Sequence, residues 1–105
     1  MDKFYAIADP TRRTIVEILA KKGRLSATAI SDKFTMSMPA ISQHLKVLRE
    51  AKLVRVEKDG QHRIYHLNID TMNDIEKWSQ QMSHLWMQQF DKLDALLKVG
   101  KNKQK

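Results

Sequence analysis

The 105 residues are enough for one domain with a modest core, and the absence of cysteine excludes disulfides, thiolate metal ligands and a cysteine nucleophile. No apolar run approaches the ~20 residues of a membrane span and the N-terminus lacks a signal-peptide pattern, so a cytoplasmic protein without membrane insertion is expected. The formal charge of +7 is uneven: residues 1–69 hold 13 Lys and Arg against 7 Asp and Glu, residues 70–97 hold 2 against 5, and four lysines follow, which makes a polyanion the natural partner of the first part.

Residues 2–8 are expected to form a short helix with Phe4, Ile7 and Ala8 on one side. Asp9-Pro10-Thr11 marks a break and a restart, with Asp9 as N-cap and Pro10 at the first helical position. That second helix runs to about Lys22, burying Ile15, Ile18 and Leu19, with Gly23 at C′. Leu25-Ser26 opens a third, capped by Ser26, stapled by Leu25 and Ile30, and ending near Phe34. After a tight connection at Thr35-Met36, Ser37 caps a fourth helix that extends to Ala51. Pro39 lies in its first turn, and Met36 and Ile41 are placed to staple it. Ile41, Leu45 and Leu48 recur at i, i+4, i+7 and form one narrow apolar stripe. The opposite face carries Pro39, Ser42, Gln43 and Lys46, side chains suited to base edges and phosphate. Two short helices joined in this way, the second polar on its outer face, make a helix-turn-helix candidate.

Beyond Ala51 the period changes from 3.6 to 2. LVRVEK and HRIYHL flank Asp59-Gly60, a strong hairpin signal, and a two-residue loop there sets Val54 opposite Tyr65 on the core face. A two-stranded hairpin is unstable alone, so it is expected to pack on the helices as a wing. From Asp70 to about Val99 the chain is helical again, about 40 Å long. Met72, Ile75, Ser79, Met82, Trp86, Phe90, Leu93 and Leu97 fall at alternating three- and four-residue steps. That stripe is too apolar to leave in water, and a partner chain is the expected cover. Residues 1–99 are read as one domain and residues 100–105 as a disordered basic tail.

With these elements in this order, the chain resembles the ArsR/SmtB family of winged-helix repressors. ADPTRR (Ala8–Arg13) matches the opening helix motif, SMPAISQHLKVLREAKLV (Ser37–Val54) the recognition helix and its exit, and DGQHRIYHL (Asp59–Leu67) the wing. The resemblance runs from Phe4 to Leu97 and is strongest to the metal-independent SdpR-type branch, whose members end with widely spaced tryptophans, here Trp78 and Trp86. It implies a mainly α fold with a small β-hairpin, a winged helix-turn-helix of order α-α-α-α-β-β-α, dimeric through the terminal helices. Members of this branch often carry Arg where Met38 stands and Lys where Gln43 stands. Gln43 favours adenine by bidentate geometry where a cation favours guanine or backbone, so the DNA sequence read is expected to differ. Lys52 replaces the Gly common after the recognition helix, and a less sharp helix end is expected there.

The family's metal sensors use cysteines on the third helix or a D-x-H…H-x-x-E/H set on the last. The first is excluded by composition. For the second, Asp74-x-Glu76 is followed eleven and fourteen residues later by Met87 and Phe90, which cannot bind zinc. His44, His62, His66 and His84 fall on different elements or faces, and no metal or other cofactor is expected. Nor is an enzyme: Gly23, Gly60 and Gly100 are isolated, no serine sits in a nucleophile motif, and Asp91 and Asp94 read as a solvated face.

The expected DNA contacts are Ser42 and Gln43 at base edges, with Met38 and Pro39 making apolar contacts, as to a thymine methyl. Arg12, Arg13 and Lys46 are phosphate candidates, and Ser37 and His44 belong to the same set, His44 being read as a helix-packing or phosphate-adjacent residue. At the wing tip Lys58, Gln61 and Arg63 are expected to reach backbone or minor groove, with His62 open between DNA and solvent. Phe4, Ile7, Ile75, Ser79, Met82, Trp86, Phe90 and Leu93 are the expected dimer interface. The implied function is repression by a homodimer on an inverted-repeat operator in double-stranded DNA. A ligand- or metal-responsive repressor, and one sequestered by a protein partner, are the alternatives.

Overall fold

The computed structural model describes the backbone over residues 1–103 and the surroundings of side chains over residues 1–98. Contacts divide the chain into two units, Met1–Met72 and the part from Asn73 onward. In the first, helix α1 (Lys3–Ala8) is capped by Asp2, whose carboxylate accepts from the Tyr5 N–H at 3.1 Å. Helix α2 (Pro10–Lys22) is capped by Asp9, begins on proline as expected, and ends at Gly23 with φ 86°. Strand β1 (Arg24–Ser26), helix α3 (Ala27–Ser31), helix α4 (Met38–Glu50), strand β2 (Val54–Asp59), strand β3 (His62–Leu67) and helix α5 (Ile69–Lys103) follow. Among the described residues no helix is long and apolar enough to cross a membrane.

The core is built where periodicity placed it. Ile15 and Leu19 of α2, Ile30 of α3, Ile41, Leu45 and Leu48 of α4, and Leu53 are each at most 1% exposed. Two expectations shift by a residue or two. Val16 is buried where Ile18 is only half-buried, and α1 buries Ala6 while Phe4 and Ile7 are half-buried and Ala8 is exposed. Apolar residues adjacent on a helix share an edge of the stripe, and the neighbour that faces the core is decided by the helix's final rotation.

Three differences concern the β elements and their surroundings. The hairpin gains a third strand: β1 pairs antiparallel with β3, Leu25 opposite Tyr65, giving the order β1-β3-β2. Three residues are too few to display a period, and their pairing comes from the free edge of β3 rather than from local preference. Helix α3 is correspondingly shorter than expected. It starts after β1 and ends at Ser31, where the Lys33 and Phe34 N–H groups donate to Ile30 and Ser31 in i→i−3 turns, each at 3.1 Å. Ile30 is its one fully buried residue, so packing does not sustain another helical turn.

The hairpin register also differs. Asp59 pairs with His62, so the loop is Gly60-Gln61, and Val56 rather than Val54 stands opposite Tyr65. Gly60 has φ 61° while Gln61 does not have positive φ, which suits a type II′ turn with Gly first rather than the type I′ turn of Asp-Gly. Moving the loop by one residue shifts each pairing by two, so every side chain keeps its face. Val54 and Tyr65 are therefore both buried despite the changed register.

Helix α4 ends sharply, against the expectation set by Lys52. Lys52 takes φ 62°, its N–H donates to Arg49 at 3.0 Å, and the Leu53 N–H donates to Leu48 at 2.9 Å. These two bonds form a Schellman motif closed by the buried pair Leu48 and Leu53. Burial of Leu53 compels the left-handed conformation that a lysine alone resists.

Helix α5 opens on Asn68, whose side-chain oxygen accepts from the Asp70 N–H and whose carbonyl accepts from the Met72 N–H, each at 3.1 Å. Within the second unit the expected stripe is exposed: Trp86 is 68%, Phe90 52% and Leu93 54% accessible, and Met82 and Ser79 are exposed as well. Trp78, Leu85 and Leu96 widen it. The backbone is helical to Lys103, past residue 99. Of the tail expected to be disordered, residues 104 and 105 lie outside the described residues.

A left-handed non-glycine residue costs roughly 1–2 kcal/mol, part of which glycine returns as unfolded-state entropy. Lys52→Gly is therefore expected to stabilise the protein by up to about 1 kcal/mol in urea unfolding, with no change in the slope of the transition.

Candidate nucleic-acid interface

A groove of about 540 Å³ is lined by the outer face of α4, the start of α3 and the tip of the wing. Helix α4 contributes Met38, Pro39, Ser42, Gln43, Lys46 and Arg49. The stripe of Ile41, Leu45 and Leu48 is buried on the opposite side, and that burial turns these six outward. The wing contributes Gln61, His62, Arg63 and Tyr65, and the start of α3 adds Ser26, Ala27 and Thr28. Seven residues expected to meet DNA are thus brought together around one concavity: Met38, Pro39, Ser42, Gln43, Lys46, Gln61 and Arg63.

The charges of this groove have one sign. Lys46, Arg49 and Arg63 line it without a carboxylate, and none of the three is in an ion pair among the described residues. At the wing tip Lys58 stands directly opposite Arg63 across the strands. Like charges in that position are mutually repulsive. The other face of the sheet is arranged oppositely: Glu57 pairs with Arg24 and lies 3.4 Å from His66, while Arg55 lies 3.6 Å from Asp70. The basic residues of the sheet are neutralised on one face and left unneutralised on the other. A surface of unpaired cations interleaved with amide and hydroxyl groups can bind a phosphate backbone and read the bases between its strands.

Other expected contacts lie elsewhere. Ser37 serves as the N-cap of α4, its hydroxyl accepting from the Ala40 N–H at 3.4 Å. Arg13 and Lys58 are exposed but do not line the groove. Arg12 is turned inward: its Nε donates to the Ala6 carbonyl at 2.7 Å and a terminal nitrogen reaches His44 Nδ1 at 3.4 Å. His44 is half-buried on the flank of α4 beside Asp9, which fits its helix-packing role. Thr28 and Arg49 join the groove although they were not singled out as contacts, and His62, left open between DNA and solvent, lines it as well. Arg49 was legible as i+3 from Lys46 and i+7 from Ser42, the same helical face. Thr28 was not, because only tertiary packing sets α3 against α4.

Among the described residues no group of three or more His, Asp and Glu side chains could hold a metal ion. His62 and His66, expected on different elements or faces, share β3 and one of its faces. Four residues along a strand set them about 13 Å apart, too far to share an ion.

Comparison with known proteins gives a consistent picture. A helix-turn-helix domain family profile matches residues 7–57. The transcriptional repressor SdpR of Bacillus subtilis is 40% identical over 75 residues, covering 71% of this chain and 82% of that protein. The arsenical resistance operon repressor of the same organism is 32% identical over 73 residues, covering 70% of each chain. The crystal structure of an ArsR family transcriptional regulator superposes with a TM-score of 0.71 at 28% identity, covering 79% of this chain and 84% of that one. These relatives are transcriptional regulators, not enzymes.

The cap of α2 generates a pH dependence. Asp9 accepts from the Arg12 backbone N–H at 2.9 Å, and that bond, aided by the charge of Arg12, holds its carboxyl below the ordinary value of 3.8. A depressed carboxylate contributes stability above the unfolded value and loses it as pH falls through the native one. Asn also caps helices, so Asp9→Asn isolates the charge. The wild-type protein is expected to unfold at higher temperature than Asp9→Asn at pH 7, with the gap closing as pH drops below about 4.

Proposed function

The chain belongs to the ArsR family of transcriptional regulators, and on that premise we propose that it is a sequence-specific DNA-binding repressor acting as a homodimer on an inverted-repeat operator. The observation that carries this reading is the groove between α4 and the wing, with three cations unpaired among the described residues, no carboxylate, and base-discriminating side chains on its floor. Ser42 and Gln43 read base edges, and Met38 and Pro39 make apolar contacts with thymine methyls. Lys46, Arg49 and Arg63 neutralise phosphates, joined by Lys58 at the wing tip and by exposed Arg13. The bound phosphate backbone also relieves the repulsion between Lys58 and Arg63.

The homodimer rests on α5. Trp86, Phe90, Leu93 and Leu97 are each more than half exposed on one face, a contiguous apolar surface of the kind that marks an interface. Half-buried Phe4 and Ile7 of α1, with Ile75, Ser79 and Met82, complete the proposed contact set. A second copy fits this surface because an isologous interface needs only self-complementarity. Two-fold symmetry then presents two recognition helices about one turn of DNA apart, ~34–36 Å, to an imperfect inverted repeat. Occupying a promoter, such a dimer excludes polymerase.

Fluorescence anisotropy tests the DNA reading, using a duplex from upstream of the protein's own gene against a scrambled duplex at two salt concentrations. Tighter binding to the native duplex, weakening steeply with salt, is expected; equal weak binding to both would exclude that duplex as operator. Gln43→Ala is expected to cost ~1–3 kcal/mol on the native duplex and almost nothing on the scrambled one. Equal loss on both would remove its base-reading role. For the dimer, sedimentation of Trp86→Glu is expected to give a monomer where the wild-type chain gives a dimer, and a dimeric variant would refute the α5 interface.

A further inference from the structure

We propose that Arg12 is a positioning residue for the recognition helix, fixing the rotation of α4 through His44 rather than contacting DNA itself. This rests on the DNA-binding reading above. Its guanidinium is surrounded by protein partners. Nε donates to the Ala6 carbonyl at 2.7 Å, one terminal nitrogen to the Tyr5 carbonyl at 3.4 Å, and the other to His44 Nδ1 at 3.4 Å. The Tyr5 ring centroid lies 5.4 Å from the guanidinium carbon, and the Asp9 carboxylate accepts from the Arg12 backbone N–H. One side chain thus joins the last carbonyls of α1 to the middle of α4.

The proposed contact has one requirement: Arg12 has no acceptor, so Nδ1 of His44 has to accept and Nε2 has to carry the ring hydrogen. Asp9 Oδ2 lies 3.9 Å from the same Nδ1 and holds the negative charge beside the guanidinium.

The rotation of α4 needs such an anchor. Ile41, Leu45 and Leu48 hold one side of the helix by apolar packing, which is non-directional. His44 lies on one flank of that stripe, while Ser42 and Arg49 lie on the other. A hydrogen bond from Arg12 to that flank is directional and so restrains the azimuth. With side chains ending about 5–6 Å from the helix axis, a 20° rotation displaces the Gln43 amide by about 2 Å. A bidentate contact with a base does not survive that displacement.

The test uses the full chain and the same native and scrambled duplexes. Arg12→Ala and His44→Leu are each expected to lose ten-fold or more on the native duplex. On the scrambled duplex the loss should be no more than about two-fold, with an unchanged salt slope. His44→Asn, whose amide oxygen replaces Nδ1, is expected to recover most of the specific binding. Parallel loss on both duplexes with a slope lower by about one would make Arg12 a phosphate contact and overturn the proposal. So would a His44→Asn variant as weak as His44→Leu. Nitrogen-15 spectra of the free protein decide the contact without DNA: a bare Nδ1 and protonated Nε2 on His44 support it, and a protonated Nδ1 overturns it. Should the wild-type chain bind both duplexes equally, the operator reading fails, and these spectra still judge the Arg12–His44 contact.

Discussion

The burial of Ile41, Leu45 and Leu48 against the rest of the core is the constraint on which the remaining structure depends. Full burial of such side chains stabilises by about 1.5–3 kcal/mol each, large against the net stability of a small domain. It leaves α4 little choice about which side faces inward. The polar face is consequently presented outward. Leu48 serves twice, because its carbonyl and side chain also close the Schellman motif that turns the chain toward β2.

That turn determines the wing. Leu53 is buried, and its carbonyl accepts from the Asn68 N–H at 2.9 Å, tying the start of the hairpin to the residue after its end. Between these ties the register is fixed, and the same sheet face runs from buried Val54 and Tyr65 to the Lys58–Arg63 pair at the tip. Core and charged tip therefore lie on one continuous face, which aims the tip's cations to the side on which the sheet packs. The repulsion between Lys58 and Arg63 is a local cost that folding alone does not explain. The phosphate backbone proposed to lie there would offset it. Arg24 and Arg55, on the other face, have acidic neighbours and need no such partner.

The two units of the chain differ in chemistry as much as in sequence. The first carries the excess of cations and a complete core; the second is acidic through residue 97 and exposes its large apolar residues. A basic surface suits a nucleic acid, and an exposed apolar helix face suits the second copy proposed above. The two chemistries are thus separated along the chain.

Much of this was legible in the amino-acid sequence because it is local. Asp9-Pro10, Ser26 and Ser37 cap their helices as expected, since a cap involves only residues three apart. The apolar stripe of α4 and the faces of the hairpin followed from period alone, and parity protected the latter from a wrong register. What depended on partners distant in sequence was not legible. Strand β1 exists because β3 has a free edge, Lys52 is left-handed because Leu53 is buried, and the groove gains Thr28 because α3 packs against α4. Arg12 shows the limit best. As one of two adjacent arginines in an exposed-looking helix it reads as a phosphate contact, and only the meeting of α1, α2 and α4 supplies the carbonyls and the imidazole that draw its guanidinium inward. Spacing determines the face a side chain occupies, but hydrogen-bond partners on other elements decide where its charge is held.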